Sequence, residues 1–262
     1  MELTRINWEE ADGVGVATLN RPERLNALDV RTIAELEHVL RITANSASVR
    51  CLLIAANGRG FCAGADVKEW SAGSGEAEAT EDGWATRMHR LIAGLYRLPK
   101  PVIAAVNGVA VGGGFDLALA ADLRIASTSA RFGQVYVNVG FCPDAGGSFL
   151  LPRLIGPTKA KELIFTGRII DAQEANSLGL LNALVEPDEL QEVAMEWARR
   201  LASGPTVAIG LAKENIHHNL DASIEDALHN EHRAGGICGK TEDHREGLRA
   251  VVEKRAPVFQ GR

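Results

Sequence analysis

Pro101-Val102-Ile103-Ala104-Ala105-Val106-Asn107-Gly108-Val109-Ala110-Val111-Gly112-Gly113-Gly114-Phe115-Asp116 runs from a strand through a glycine turn into a helix. Pro99 and Pro101 bound the strand, and Val102 to Val106 is apolar without interruption, as expected of a strand buried on both faces. The three glycines end it, and an alanine-rich helix reaches to about Ala121. Leu123 to Ser127 reads as the next strand. A strand, a helix and a second strand in so few residues is the pattern of an α/β sheet.

The flanking sequence extends that pattern. Residues 3–19 read as two strands around Asp12-Gly13, a hairpin signal. Asn20-Arg21-Pro22 breaks the second strand. Asp29 is placed to cap a helix with Ile33, Leu36 and Leu40 on one face. Val49 to Ala56 reads as a buried strand ended by Asn57-Gly58. The stretch 71–83 is small and acidic and reads as a mobile loop, with a helix at about 84–97. Beyond residue 127 the chain turns helical. Pro157 starts a helix to about Phe165, Asp171 caps another, and Pro187 opens a third with Leu190, Val193, Trp197 and Leu201 on one face. Helices at 206–219, 222–234 and 242–254 complete the chain. No sequence repeat is visible. Ser203-Gly204-Pro205 is the one weak boundary, which divides the chain into a core, 1–200, and a helical module, 201–262.

Bulk properties narrow the function. The chain has 262 residues, 46% hydrophobic and 24% charged, which suits a folded globular protein. Its net charge of −6 and lack of a basic run argue against a nucleic-acid partner. No apolar run reaches the ~18 residues of a membrane span, and Met1 to Glu10 is unlike a targeting peptide. Cys51, Cys62, Cys142 and Cys238 are scattered and read as reduced thiols of a cytoplasmic protein. His229 and His232 share a helix face, but no further ligands accompany them, so no metal is expected.

Two segments share one design. Gly60-Phe61-Cys62-Ala63-Gly64-Ala65-Asp66-Val67 and Asn107 to Asp116 each place glycines after a buried strand. Glycine lets backbone N–H groups approach a ligand closely. A helix start adds unpaired donors and the positive end of a dipole. Two such donors converging on one oxygen would make an oxyanion hole. The same glycines also suit a tight turn where helix packs on sheet. Neither segment is a Walker loop or a dinucleotide fingerprint. Three side chains stand near these turns in sequence: Asp116 in a first helical turn, Tyr136 in Phe132-Gly133-Gln134-Val135-Tyr136, and Asp144 in Pro143-Asp144-Ala145-Gly146-Gly147-Ser148. A first-turn aspartate also serves as a cap, and a tyrosine between apolar residues as pocket wall. Ser148 lies in no nucleophile elbow.

Together these segments resemble the crotonase (enoyl-CoA hydratase/isomerase) superfamily. The resemblance runs from Asn20-Arg21-Pro22-Glu23-Arg24-Leu25-Asn26-Ala27-Leu28 through both glycine turns. It continues to Ala175-x-x-x-Gly179-Leu180-Leu181-Asn182 and Glu242-Asp243-His244-Arg245-Glu246-Gly247. It implies an α/β fold, a spiral of ββα units with a C-terminal helical module, assembled as a trimer or a dimer of trimers. It implies an acyl-CoA thioester substrate and no cofactor beyond the CoA that the substrate carries. By the motif match, Ala65 and Gly113 hold the thioester oxygen, with Gly112 beside them. Arg24, Ala27, Ala63, Asp66 and Val67 match positions lining the CoA site.

The match departs from the hydratases of the family at two places. Asp116 and Tyr136 stand where hydratases carry a pair of glutamates, and tyrosine, with an ordinary pKa of about 10, is a poor base at neutral pH. Asp144 is the expected substitute, since the Pro143 to Ser148 and Leu151-Pro152-Arg153 strings resemble those of phenylacetate-pathway isomerases. The resemblance therefore favours double-bond isomerisation through Asp144. Hydration through Asp116, and an acyl-CoA-binding homologue without turnover, are the alternatives.

Overall fold

The computed structural model describes residues 1–68 and 83–262. The acidic stretch expected as a loop lies outside the described residues up to position 82.

The hairpin forms as expected. β1 (Ile6–Ala11) and β2 (Val14–Leu19) pair antiparallel with Ala11 opposite Val14. Asp12 and Gly13, at φ 54° and 78°, form the two-residue turn whose twist suits a hairpin. Asp29 caps α1 (Val30–Asn45) by accepting from the Thr32 N–H at 2.6 Å. Next come β3 (Cys51–Ala56), β4 (Gly60–Cys62) and α2 (Trp84–Arg97). They are followed by β5 (Val102–Val106), β6 (Val109–Val111) and α3 (Gly113–Ala120). The third set is β7 (Leu123–Ser127), β8 (Arg131–Gly133) and α4 (Gly147–Thr166).

These are three successive ββα units. The first strand of each joins a six-stranded sheet ordered β1-β2-β3-β5-β7-β10, and the second joins a four-stranded sheet ordered β4-β6-β8-β9. The strands β9 (Ile169–Asp171) and β10 (Ala183–Val185) flank the short helix α5 (Ala172–Ser177). The second sheet is absent from the sequence reading because its strands are three residues long, too short to show a period.

Both faces of the larger sheet are buried. Leu52, Ile54, Val102, Ala104 and Val106 face the main core with the helices of the spiral. Cys51, Leu53, Ala55, Ile103 and Ala105 face the opposite way, onto α6 (Leu190–Ala202). Its buried line is Leu190, Ala194, Ala198 and Ala202, one step round from the expected face. The small residues let the helix sit close to the sheet, while Val193, Trp197 and Leu201 pack at its flanks.

The helix expected to start at Pro157 does so: α4 is broken at Gly156, at φ 78° and ψ 157°, and the stretch ahead of the break, from Gly147, is helical as well. Proline lacks the N–H needed to continue a helix, so a fresh segment starts there. The helix expected over 222–234 is α8 (Ile224–Cys238), capped by Ser223.

α7 (Thr206–Asn219), α8 and α9 (Glu242–Glu253) complete the chain. Lys213 of α7 is 9% exposed and bonds to the Leu95 carbonyl and the Asp122 carboxylate, which fastens the helix to the core. Arg50, beside β3, donates to Thr206 Oγ1, Phe259 O and Gly204 O. Among the described residues no helix is long and apolar enough to cross a membrane. All four cysteines are free.

Candidate active site

The two glycine turns touch. Gly64 has φ +85°, a conformation that L side chains rarely adopt. A Cβ there would lie 2.8 Å from the Val111 carbonyl and 3.3 Å from the Gly113 nitrogen. Gly114 sits so close to the first turn that a Cβ would lie 2.2 Å from the Cys62 carbonyl. At these positions glycine is required by the approach of one backbone to the other.

A β-bridge sets the direction of the first donor. Leu28 pairs parallel with Ala65: the Leu28 N–H donates to Gly64 O at 2.8 Å, and the Asp66 N–H donates to Leu28 O at 3.1 Å. Peptide groups alternate sides along an extended chain, so the Ala65 N–H faces away from Leu28. The second donor, Gly113, is the first residue of α3, where no intrahelical acceptor exists. Among the described residues neither the Ala65 nor the Gly113 N–H donates to a protein acceptor. Trp84, whose Nε1 donates to Leu28 O at 2.8 Å, lies with Leu28 and Met88 next to Gly113.

Asp116 is fully buried one turn into α3. Gln134 Nε2 donates to its Oδ1 at 2.6 Å, and the Tyr136 hydroxyl donates to its Oδ2 at 2.5 Å. Burial raises its pKa to about 7, against the pull of these two hydrogen bonds and with a further push from the charge of Asp144. The Tyr136 phenol is held far above its usual pKa, first by burial and then by the neighbouring negative charges of Asp116 and Asp144. Tyr136 is therefore neutral throughout the working range. Asp144 is half-buried in the loop before α4, and His89 of α2 donates from Nε2 to its carbonyl at 2.6 Å.

The structure thus gathers Asp116, Tyr136 and Asp144 into one cluster. Tyr136 also borders the second glycine turn: a Cβ on Gly112 would lie 4.0 Å from its Cζ. Of the positions matched to a CoA site, Arg24 is exposed on the turn Pro22–Arg24, Ala27 is buried, and Ala63 is half-buried. Val67 is 59% exposed. Asp66 is ion-paired to Arg21 at 3.1 Å, and Arg21 also pairs with Asp29 at 3.0 Å and donates to Ala27 O. This network ties the 20–29 segment to the first glycine turn.

Arg21, Gln134, Trp84 and His89 were not singled out from the sequence. Arg21 and Gln134 lie inside quoted strings, and their burial as polar residues is visible only in three dimensions. A cavity of about 550 Å³ lies between α7 and the core, among Leu119, Leu123, Leu154, Ile216 and Leu220, but the carboxylate cluster does not line it. A smaller one of about 310 Å³ borders the Asp144 turn and is lined by His89, Ile92, Tyr96, Ala145 and Phe149.

Comparison with known proteins shows the family. A family model described as enoyl-CoA hydratase/isomerase matches residues 9–262. A short-chain-enoyl-CoA hydratase of Clostridium acetobutylicum is 41% identical over 257 residues, 97% of either chain. A 1,2-epoxyphenylacetyl-CoA isomerase of Escherichia coli is 38% identical over 95% of this chain and 96% of its own. The crystal structure of an enoyl-CoA hydratase from Bacillus anthracis superimposes with a TM-score of 0.94 at 38% identity, covering 99% of this chain and 100% of that one.

Proposed function

The chain belongs to the enoyl-CoA hydratase/isomerase family of the crotonase superfamily, and from that premise we propose that it moves a double bond in an enoyl-CoA thioester. The thioester oxygen accepts from the N–H groups of Ala65 and Gly113. The Asp144 carboxylate removes a proton from the carbon next to the carbonyl, and the electron pair spreads into the thioester as an enolate. The carboxylic acid returns a proton to the far end of the conjugated system. Only protons move, so the reaction calls on no cofactor or metal. Arg24, Ala27, Ala63, Asp66 and Val67 would border the CoA moiety.

One observation carries this reading: of the two aspartates, Asp144 is a half-buried residue with some exposed surface and Asp116 has none. Parallel assays on a 3-enoyl-CoA and a 2-enoyl-CoA test it. Isomerisation faster than hydration is the expected result, and the reverse order would favour a hydratase.

The second reading is hydration, favoured by the hydratase names of several relatives, including a crotonyl-CoA hydratase of Syntrophomonas wolfei at 38% identity. It needs Asp116 to reach water or substrate, and so a rearrangement that frees it from Tyr136 and Gln134. The third reading, a homologue that binds acyl-CoA without turnover, predicts binding and no reaction in either assay.

A homotrimer or dimer of trimers accounts for the apolar surface of the last helices. Leu220, Ile224, Leu228, Leu248, Val251 and Val252 are each more than half exposed in the single chain. Sedimentation of the wild type against Val251→Glu/Val252→Glu tests this: the wild type is expected to run as an oligomer and the variant as a smaller species. A monomeric wild type would overturn it.

A further inference from the structure

We propose that the cavity between α7 and the core binds a free fatty acid, with its carboxylate on Arg124 and its alkyl chain along α7. The site uses none of the residues of the proposed reaction.

The cavity has the size and walls for such a ligand. Its volume of about 550 Å³ falls within the ~300–1,000 Å³ of small-ligand sites. Leu119, Leu123, Leu154, Ile209 and Ile216 line it, so an occupant gains by burying apolar surface. Ile216 and Leu220 line it while remaining 62% and 55% exposed, which leaves it open on their side.

Arg124 supplies the charge. It lies in β7, is 4% exposed and also lines the cavity. Its Nε donates to Leu180 O at 2.7 Å and its Nη1 to Ala121 O at 2.7 Å. Among the described residues its Nη2 donates to no acceptor, and that atom is not sealed in the interior. It is the part of the guanidinium left to face the cavity. Burial lowers the pKa of Arg124 to about 10, so it stays charged at neutral pH.

The neighbouring charges are already matched. Asp122 Oδ2 accepts from Lys213 Nζ at 2.9 Å and from the Val102 N–H at 2.8 Å. Arg153 pairs with Asp221 at 2.9 Å and lies over the Phe149 ring at 3.6 Å. Arg124 has no carboxylate at ion-pair distance among the described residues, and its printed partners are all carbonyl oxygens. A buried cation without a counter-ion is costly, and a ligand carboxylate that accepts from Nη2 supplies one. With one open nitrogen, and Asp122 also on the cavity wall, a monoanion fits better than a phosphate.

The test titrates hexanoate, octanoate and decanoate into the full-length protein by calorimetry, with acetyl-CoA present at saturation. One site per chain is expected, and each added methylene should tighten binding about fourfold. Arg124→Met should weaken decanoate about 10–100-fold, the scale of one hydrogen bond to a charged group, and leave decan-1-ol unchanged. Arg124 also ties down the end of α3, so a second variant leaves it in place. Ala212→Trp fills the cavity from α7 and should abolish decanoate binding while isomerisation of a 3-enoyl-CoA continues at the wild-type rate. Four results would each overturn the proposal: no decanoate binding by the wild type, affinity that does not grow with chain length, equal losses for decanoate and decan-1-ol in Arg124→Met, or wild-type affinity in Ala212→Trp. Displacement of decanoate by acetyl-CoA would overturn it too, by placing the fatty acid in the CoA site.

Discussion

Gly64 and Gly113 stand in contact, with the position a Gly64 Cβ would occupy 3.3 Å from the Gly113 nitrogen. One glycine thus shapes the turn that presents the Ala65 N–H while leaving room for the Gly113 N–H beside it. Gly64→Ala brings a side chain into a left-handed conformation and against the Val111 carbonyl at 2.8 Å. The expected cost is about 1–3 kcal/mol in stability. The turns must also part, so kcat should fall by roughly 10²–10³, as for loss of an oxyanion donor. Chemical denaturation and steady-state kinetics on the same preparation check both. Unchanged kcat would remove the turns from catalysis.

Asp116 makes stability depend on pH in an unusual direction. Its folded pKa of about 7 lies above the ordinary 3.8. Between those values the folded chain holds a proton that the unfolded chain has released, so stability falls as pH rises through this window and is level above it. The full effect is on the order of 4 kcal/mol at most, at about 1.4 kcal/mol per unit. Asn at this position carries no charge to bury. Thermal melts at pH 5 and pH 8 should show the wild type losing more stability than Asp116→Asn across that interval.

Arg21 compensates two carboxylates at once. Its side chain is about 10% exposed, beside Asp29 at 8% and Asp66 at 13%. Arg21→Met leaves both without this partner, and removing one member of a buried pair costs about 3–5 kcal/mol. Residual exposure of Asp66 places the expected loss at about 3 kcal/mol. The first glycine turn loses its tie to the 20–29 segment, so KM for the CoA ester should rise. A urea titration and a KM measurement read the two effects.

Much of the fold is legible in the sequence because its strongest elements have strong local causes. The Asp12-Gly13 turn, the Asp29 and Asp171 caps and the continuous apolar runs of β3 and β5 each fix an element from nearby residues. The second sheet is illegible for the opposite reason. Gly60–Cys62, Val109–Val111 and Arg131–Gly133 become strands only by lying beside one another, far apart in sequence. The α6 face was misplaced because large apolar residues stand out in sequence, whereas close packing on the sheet selects Ala194, Ala198 and Ala202.

The site divides in the same way. Asp116, Tyr136 and Asp144 were individually visible, but their arrangement was not. That Asp116 has no exposed surface, and is held by Gln134 and Tyr136, follows from how α3 packs against the segment after β8. No spacing in the sequence encodes it.

The most direct test of the proposed chemistry is the isomerisation of a 3-enoyl-CoA by Asp144→Asn. Asparagine keeps the size of the side chain and removes its capacity to exchange a proton. The account requires kcat to fall by roughly 10²–10⁴, the contribution of a general acid–base group. KM should stay near the wild-type value, since the proposed oxyanion donors and CoA-lining residues are unchanged. Retention of wild-type kcat would contradict the assignment of Asp144 and return the chemistry to Asp116.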